Sequence, residues 1–286
     1  MLSKDKKILI VGLGLMGGSY ADALTKAGYE VGAITRSQSS IDNALSRGLI
    51  RHGMADVDAC YVGQFDIVVF SLYPHTFISW IERYQQFLKP GAMLTDVTGV
   101  KGSVVYKVQS ILRPDVEFIG AHPMAGKETS GVQNASGDIF KGANYIVTPT
   151  PENKESAIED CEELGRIIGC TRISRLTPEQ HDEMIGFLSQ LTHCIAVSLM
   201  NCKDSKDLVR FTGDSFRDLT RIANINDEMW SELFIMNKKE LLKQMELFAG
   251  QFEKLKKAVE CENVDELRNM MRISTKRRNY FNKVNS

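Results

Sequence analysis

Three glycines and one histidine are the residues whose type and placement could do chemistry in this chain. Gly12, Gly14 and Gly17 stand in G-x-G-x-x-G spacing, directly after the apolar run at 8–11. In a strand–turn–helix unit the first glycine makes the sharp turn and the second lets the backbone approach a pyrophosphate. The third lets the helix pack close to the strand. The N–H groups that open the helix, from Leu15 and Met16 onward, then face the phosphates. His122 ends the apolar stretch 116–121 and precedes Pro123-Met-Ala-Gly126. The carboxyl end of a strand is where open α/β sheets bind ligands, and a neutral imidazole there can accept a proton near neutrality. Taken alone, His122 could equally serve to satisfy loop backbone.

The elements that must position these residues alternate along the first part of the chain. The second strand is expected at 29–35, ending in Thr35-Arg36-Ser37-Gln-Ser-Ser40, with no Asp or Glu before Asp42. An acid at this place would bind an adenine ribose hydroxyl, whereas an arginine suits a 2′-phosphate. Thr35, Arg36, Ser37 and Ser40 are therefore read as an NADP site, with NAD the less favoured cofactor and a solvated Arg36 the alternative. Ser71 and Leu72, closing the apolar strand 66–72, are expected to line the same crevice. Strands at 92–96, 116–121, 144–148 and 171–174, with helices at 100–112 and 154–168, complete a doubly wound, mainly parallel sheet.

The pattern then changes. Thr177-Pro178-Glu-Gln180 is a helix start with a capping box, and almost no strand signal follows. The expected division is a dinucleotide-binding domain at 1–174 and an all-helical domain at 175–286. Asp182 and His193, eleven residues apart, are expected to share a helix face. Leu241, Met245, Phe248, Phe252, Leu255 and Val259 form a heptad seam. A helical domain this small is expected to bury that seam between two subunits.

Bulk properties exclude several classes. With 35 Lys+Arg against 36 Asp+Glu, the net charge of −1 argues against a nucleic-acid or membrane-surface partner. The six cysteines form no C-x-x-C pair and no metal-ligand spacing, so they read as reduced thiols of a cytoplasmic protein without a metal. No apolar run is expected to reach the length of a membrane span.

Four motifs occur in order: Gly12-Leu-Gly-Leu-Met-Gly-Gly-Ser19, Thr95-Asp-Val-Thr-Gly-Val-Lys-Gly102, Gly120-Ala-His-Pro-Met-Ala-Gly126 and Phe216-Arg-Asp-Leu-Thr-Arg-Ile-Ala223, with Trp230 beyond them. Together they resemble the prephenate/arogenate dehydrogenase family of tyrosine biosynthesis, over nearly the whole chain. The resemblance implies a Rossmann domain followed by a helical domain that forms a homodimer; separately, no fused regulatory or mutase domain is expected. It implies oxidative decarboxylation of a cyclohexadienol, prephenate being favoured over arogenate. His122 matches the catalytic histidine, Arg221 the arginine of substrate-carboxylate binding, and Trp230 an active-site tryptophan. His193 matches a substrate-side histidine of prephenate-using members, where it would act as a donor. Glu128 and Asp182 match polar residues at the site mouth.

Each of these has a plainer alternative: an Arg221–Asp218 pair, a core Trp230, ordinary salt bridges for the two acids. The chain departs from the family at Thr98, where a serine that helps orient the histidine and substrate is common, so Thr98 is expected to substitute. Lys127 likewise replaces a small hydroxyl residue. A β-hydroxyacid dehydrogenase would need a lysine followed four residues on by asparagine in the second domain. Lys239 is followed by Lys243 and Lys203 by Asp207. A regulator that binds NADP without turnover would leave the co-occurrence of His122, Arg221 and Trp230 unexplained.

Overall fold

The structure is a computed structural model and describes residues 2–204 and 206–281. Eight strands form one sheet in the order β3-β2-β1-β4-β5-β6-β7-β8. They are β1 (Lys7–Val11), β2 (Glu30–Ile34), β3 (His52–Met54), β4 (Ile67–Phe70), β5 (Met93–Asp96), β6 (Glu117–Pro123), β7 (Asn144–Thr148) and β8 (Arg172–Arg175). All pairings are parallel except β6 with β7. The order reverses between β1 and β4, and that reversal opens the crevice at their carboxyl ends.

The helices between strands are α1 (Leu15–Lys26), α2 (Gln38–Ser46), α3 (Ala59–Val62), α4 (Pro74–Tyr84), α5 (Gly102–Ile111) and α6 (Glu155–Ile167). They cover both faces of the sheet, as its side-chain alternation requires. Ile8 and Ile10 of β1 pack with Tyr20, Leu24 and Leu164 on one side. Leu9 and Val11 pack with Phe77, Trp80, Val104 and Val108 on the other. Strands buried on both faces read as unbroken apolar runs, which is why β1 and β4 were visible in the sequence. β3 was not expected: three residues at the sheet's edge, all half-buried, carry no apolar pattern.

β6 is longer than expected. His122 lies within it, paired with Ile146, rather than in the loop beyond, because the antiparallel partner β7 continues the ladder to Pro123–Tyr145.

After β8 the described residues hold only helices. They are α7 (Pro178–Ile185), α8 (Leu191–Asn201), α9 (Asp214–Thr220), α10 (Asp227–Met236), α11 (Lys238–Glu260) and α12 (Val264–Arg278). Thr177 and Gln180 close the expected capping box on α7. A π-helical segment, Gly186–Gln190, joins α7 to α8. It breaks the 3.6-residue register between Asp182 and His193, so the shared face expected for them does not form: Asp182 is buried and His193 half-buried.

The run Pro178–Asn201 is also a correction. At 24 residues and mean hydropathy 1.3 it does have the length and composition of a span. Its His181, Asp182 and Gln190 are nonetheless buried and hydrogen-bonded inside the fold, so it is built into the sheet-bearing unit.

The chain divides into two compact units, one running to Lys238 and the other starting at Lys239. The first holds the sheet and α1–α10. The second consists of most of α11 with α12. Along α11, Leu241 is buried, but Met245, Phe248, Phe252, Leu255 and Val259 are exposed, Phe252 and Val259 by about 60%. The Phe248 and Phe252 rings stack at 6.2 Å.

Candidate active site

The glycine turn behaves as its spacing requires. Gly12 has φ +99°, and a Cβ there would sit 2.4 Å from the Ser71 carbonyl oxygen. A Cβ on Gly17 would lie 1.9 Å from the Gly12 oxygen, so α1 can pack this close to β1 only through a glycine. Gly14 differs: a Cβ on it would meet nothing within 4 Å. It is also the N-cap of α1, with no side chain capping the helix. The turn therefore faces open space lined by the free first-turn N–H groups of α1, the cradle a pyrophosphate needs.

Leu15 and Met16 are partly exposed at this mouth, and Ser71 and Leu72 meet it from β4. Thr35 follows β2 and donates its N–H to Met54 O at 3.2 Å. Ser37 caps α2 by accepting from Ser40 N at 3.2 Å. Arg36 is exposed and makes no hydrogen bond or ion pair with a described residue. The structure thus gathers the expected cofactor residues at the carboxyl ends of β1, β2 and β4.

A second cluster surrounds His122. Asp96, at the end of β5, and Lys101, the N-cap of α5, form an ion pair at 2.7 Å with both side chains fully buried. Asp96 also accepts from Ala121 N at 3.0 Å, one residue before the histidine, and from Thr98 through both its N–H, at 3.0 Å, and its hydroxyl. Thr98 is 4% exposed. Its hydroxyl is spent inward on Asp96, with Lys101 Nζ donating to it at 3.2 Å. It does not turn outward toward a substrate as the family's serine position implied.

Asp182 is likewise not at the mouth. It is 6% exposed and accepts from Lys101 N and Gly102 N, each at 2.8 Å, where α5 begins. Its Oδ1 lies 2.8 Å from His181 Nδ1, and His181 Nε2 lies 2.9 Å from His122 Nδ1. His181 is fully buried. Sequence reading missed it. The only signal was its place beside Asp182, in the first turn of a helix with a clear capping box.

Burial pushes His122 well below the ordinary histidine range, with His181 and Lys101 adding to the effect. Burial also lowers His181, against the pull of Asp182, and lowers Lys101, against the pull of Asp96. Both imidazoles are neutral near pH 7 on this account.

The remaining site residues come together in two pairs. His193 stacks on Trp230 with centroids 3.7 Å apart and 29° between planes, and Trp230 also packs on Phe234. The His193 Nδ1 lies 2.8 Å from Ser189 O. A carbonyl only accepts, so the proton is on Nδ1, and neutral His193 offers Nε2 as an acceptor rather than the expected donor. Burial lowers its pKa, which favours that neutral form. Arg221 pairs with Glu128 rather than with Asp218, both residues being exposed. The turn Arg221–Ala223 packs on α8, the helix that carries His193.

A network missed in the sequence ties these parts together. Asn237 donates to Asp182 O at 2.9 Å and to Gln190 Oε1 at 2.8 Å, and Gln190 donates to Leu233 O at 3.1 Å. Leu233 lies against Gly99, whose Cβ position is 4.0 Å from His122 Cε1. Glu232 accepts from His75 N at 2.6 Å, and Asn226 donates to the Tyr73 hydroxyl at 3.0 Å. These bonds hold α10 at the start of α4, beside the cofactor crevice. Among the described residues no cluster of His, Cys, Asp or Glu could hold a metal ion.

Comparison with known proteins agrees with this architecture. A family model described as the nucleotide-binding domain of prephenate dehydrogenase matches residues 20–172, and one described as its dimerization domain matches 177–273. This chain belongs to the prephenate dehydrogenase family. It is an oxidoreductase of that family, with a nucleotide-binding domain. It is 29% identical to a Bacillus subtilis prephenate dehydrogenase, over 91% of this chain and 72% of that one. It is 28% identical to a Zymomonas mobilis cyclohexadienyl dehydrogenase, over 96% and 95%. A crystal structure of the prephenate dehydrogenase from A. aeolicus, in complex with hydroxyphenyl propionate and NAD+, superimposes with a TM-score of 0.89 at 30% identity. It covers 98% of this chain and 99% of that one.

The glycine geometry separates two roles by substitution. Gly17→Ala forces a methyl into backbone and should destabilise the protein by about 2 kcal/mol or more, read as a lowered thermal midpoint. Gly14→Ala should melt like the parent but bind nicotinamide nucleotide about tenfold more weakly, because its methyl occupies the pyrophosphate's space. Unchanged nucleotide affinity in Gly14→Ala would move the pyrophosphate elsewhere.

Proposed function

We propose that this enzyme oxidises prephenate with loss of its ring carboxylate, using NADP, and works as a homodimer. The observation that carries the reading is His122: an imidazole at the carboxyl end of β6, tied inward through Nδ1, in a sheet whose glycine turn is shaped for a dinucleotide. Residues 1–174 would hold the cofactor, and residues 175–286 would supply substrate and subunit contacts.

The bound nicotinamide supplies the hydride acceptor. His122 Nε2 accepts the proton of the ring hydroxyl as hydride leaves the carbon that bears it, so a ketone forms without a free alkoxide. The bond to the ring carboxylate then breaks. Its electron pair enters the ring and reaches the ketone oxygen, CO2 leaves, and that oxygen takes the proton back from His122, so an aromatic phenol results and His122 is again neutral. Arg221 orients a substrate carboxylate. Its exposed pair with Glu128 is worth only ~0–1 kcal/mol, so a carboxylate can take its place. His193 and Trp230 line the site from α8 and α10.

Prephenate is favoured by what the relatives are named for. Arogenate is the second reading, and the acceptor face of His193 favours it, because an ammonium group seeks an acceptor where a keto acid seeks donors. NADP is supported by Arg36, exposed beside the α2 N-terminus with no partner among the described residues, and by the absence of an acid at the end of β2. The homodimer is supported by the matched dimerization domain and by the exposed seam of α11.

Three measurements decide these points. Incubation with prephenate and NADP should generate reduced cofactor, and His122→Asn should lower kcat by about 10²-fold or more while leaving cofactor affinity unchanged. A higher kcat/KM for arogenate would replace prephenate as the substrate. For the cofactor, kcat/KM should favour NADP over NAD, with Arg36→Asp reversing the order; a parent enzyme that prefers NAD refutes this choice. Sedimentation should give twice the 32.0 kDa chain mass. Phe248→Asp combined with Phe252→Asp should abolish the dimer by placing charge in an apolar interface, and a native-sized dimer from that variant would place the interface elsewhere.

A further inference from the structure

The hydrogen-bond chain behind His122 has a direction. Asp182 accepts two backbone N–H groups, from Lys101 at Oδ1 and from Gly102 at Oδ2, so each of its oxygens already faces a donor and the carboxylate acts as an acceptor. The proton between Asp182 Oδ1 and His181 Nδ1, 2.8 Å apart, therefore belongs to His181. A neutral imidazole protonated on Nδ1 has its lone pair on Nε2. The proton in the 2.9 Å contact between His181 Nε2 and His122 Nδ1 must then come from His122. That leaves His122 Nε2 bare. We propose that His181 is a positioning residue: oriented by Asp182, it holds His122 in the one neutral tautomer whose Nε2 can take a proton from the substrate.

The inference rests on the activity proposed above for what His122 does with that lone pair. The tautomer itself depends only on the contacts. If the chain ran in the opposite sense, with His181 donating to His122 Nδ1, neutral His122 would carry its proton on Nε2 and could not act as a base. The same chain supports the charge that follows. As the substrate O–H bond breaks and an N–H bond forms at Nε2, His122 becomes an imidazolium whose Nδ1 proton points at His181, and His181 in turn points at a carboxylate. No proton has to leave the chain. Burial of His181 excludes water that would otherwise compete for the His122 Nδ1 proton.

The groups that bear on titration here are His181 and Asp182 of α7, Lys101 at the start of α5 and Asp96 of β5. Lys101 and Asp96 are paired with each other and act on His181 with opposite signs, while Asp182 is the carboxylate that hydrogen-bonds His181 directly.

Two experiments separate this inference from the activity on which it builds. The first needs no turnover: long-range 1H–15N spectra of the 15N-labelled protein at pH 7.5, with imidazoles assigned by single His→Gln variants. His122 and His181 should both be Nδ1–H tautomers. An Nε2–H tautomer at His122 overturns the proposal, whatever the substrate proves to be. The second is kinetic. His181→Leu removes the acceptor and should lower kcat about tenfold or more with cofactor affinity unchanged. The acid limb of kcat/KM should move to lower pH: a neutral His181 exerts no charge repulsion on His122, and what the imidazolium loses in the variant is the acceptor for its Nδ1 proton. His181→Gln, whose amide oxygen can accept that proton, should recover most of the rate and of the profile. Equal losses in both variants with an unmoved acid limb would show that His181 only fills space. A parent enzyme that oxidises neither prephenate nor arogenate would refute the activity, and the spectra would still decide the tautomer.

Discussion

The buried contact between Lys101 and Asp96 is the constraint on which the rest of the site depends. Two opposite charges with no solvent exposure are an expensive way to hold two strands and a helix together, since desolvation offsets much of their attraction. What the pair supplies is position. Asp96 takes the backbone N–H of Ala121, which sets β6 against β5 just before His122. Lys101 reaches Asp96 with its side chain while its own N–H, with that of Gly102, goes to Asp182. One residue therefore joins the carboxylate under β6 to the carboxylate on α7. An apolar pair of similar volume could fill the same space. It could not accept from both Thr98 and Ala121.

This arrangement explains why the sheet was legible in the sequence and much of the site was not. Strands buried on both faces must be apolar throughout, and a glycine that would otherwise drive a methyl into backbone must be glycine. β1, β4 and the turn at Gly12 and Gly17 therefore announce themselves locally. Lys101, paired with Asp96, is joined to Asp182 across 81 residues of chain by a hydrogen bond, and nothing in the local pattern of any of the three says that it is buried. Asp182 looks like a surface acid at the start of a helix. Thr98 looks like a hydroxyl available to substrate until its bond to Asp96 is seen.

His181 shows the same limit. The capping box at Thr177 located α7, and a 3.6-residue period drawn on from Asp182 led to His193. The π-helical segment at Gly186–Gln190 makes that extrapolation fail, because it adds a residue to the turn. Its polar end is then absorbed by a tertiary network: Gln190 bonds to Leu233 O and to Asn237, and Asn237 bonds to the carbonyl of Asp182. The distortion carries His193 toward Trp230 and leaves His181 and Asp182 facing β6. Resemblance to a family located His122, Arg221, His193 and Trp230. The physical link between His122 and α7 required the fold.

His122 and His193 share a chemistry and differ in what stands behind them. In each, Nδ1 is turned inward and Nε2 is left for a ligand, and burial lowers the pKa of each. Behind His193 is the carbonyl of Ser189, a neutral acceptor that fixes the ring but carries no full charge. Behind His122 is a second imidazole and then a carboxylate that itself receives two backbone N–H groups. A positive charge arising on His122 is thus met by a full negative charge one ring away, in a region shielded from solvent where that attraction is weakly screened. The same charge on His193 would have only a dipole and the face of an indole. Of the two, His122 is equipped to become an imidazolium and return, and His193 to stay neutral and recognise.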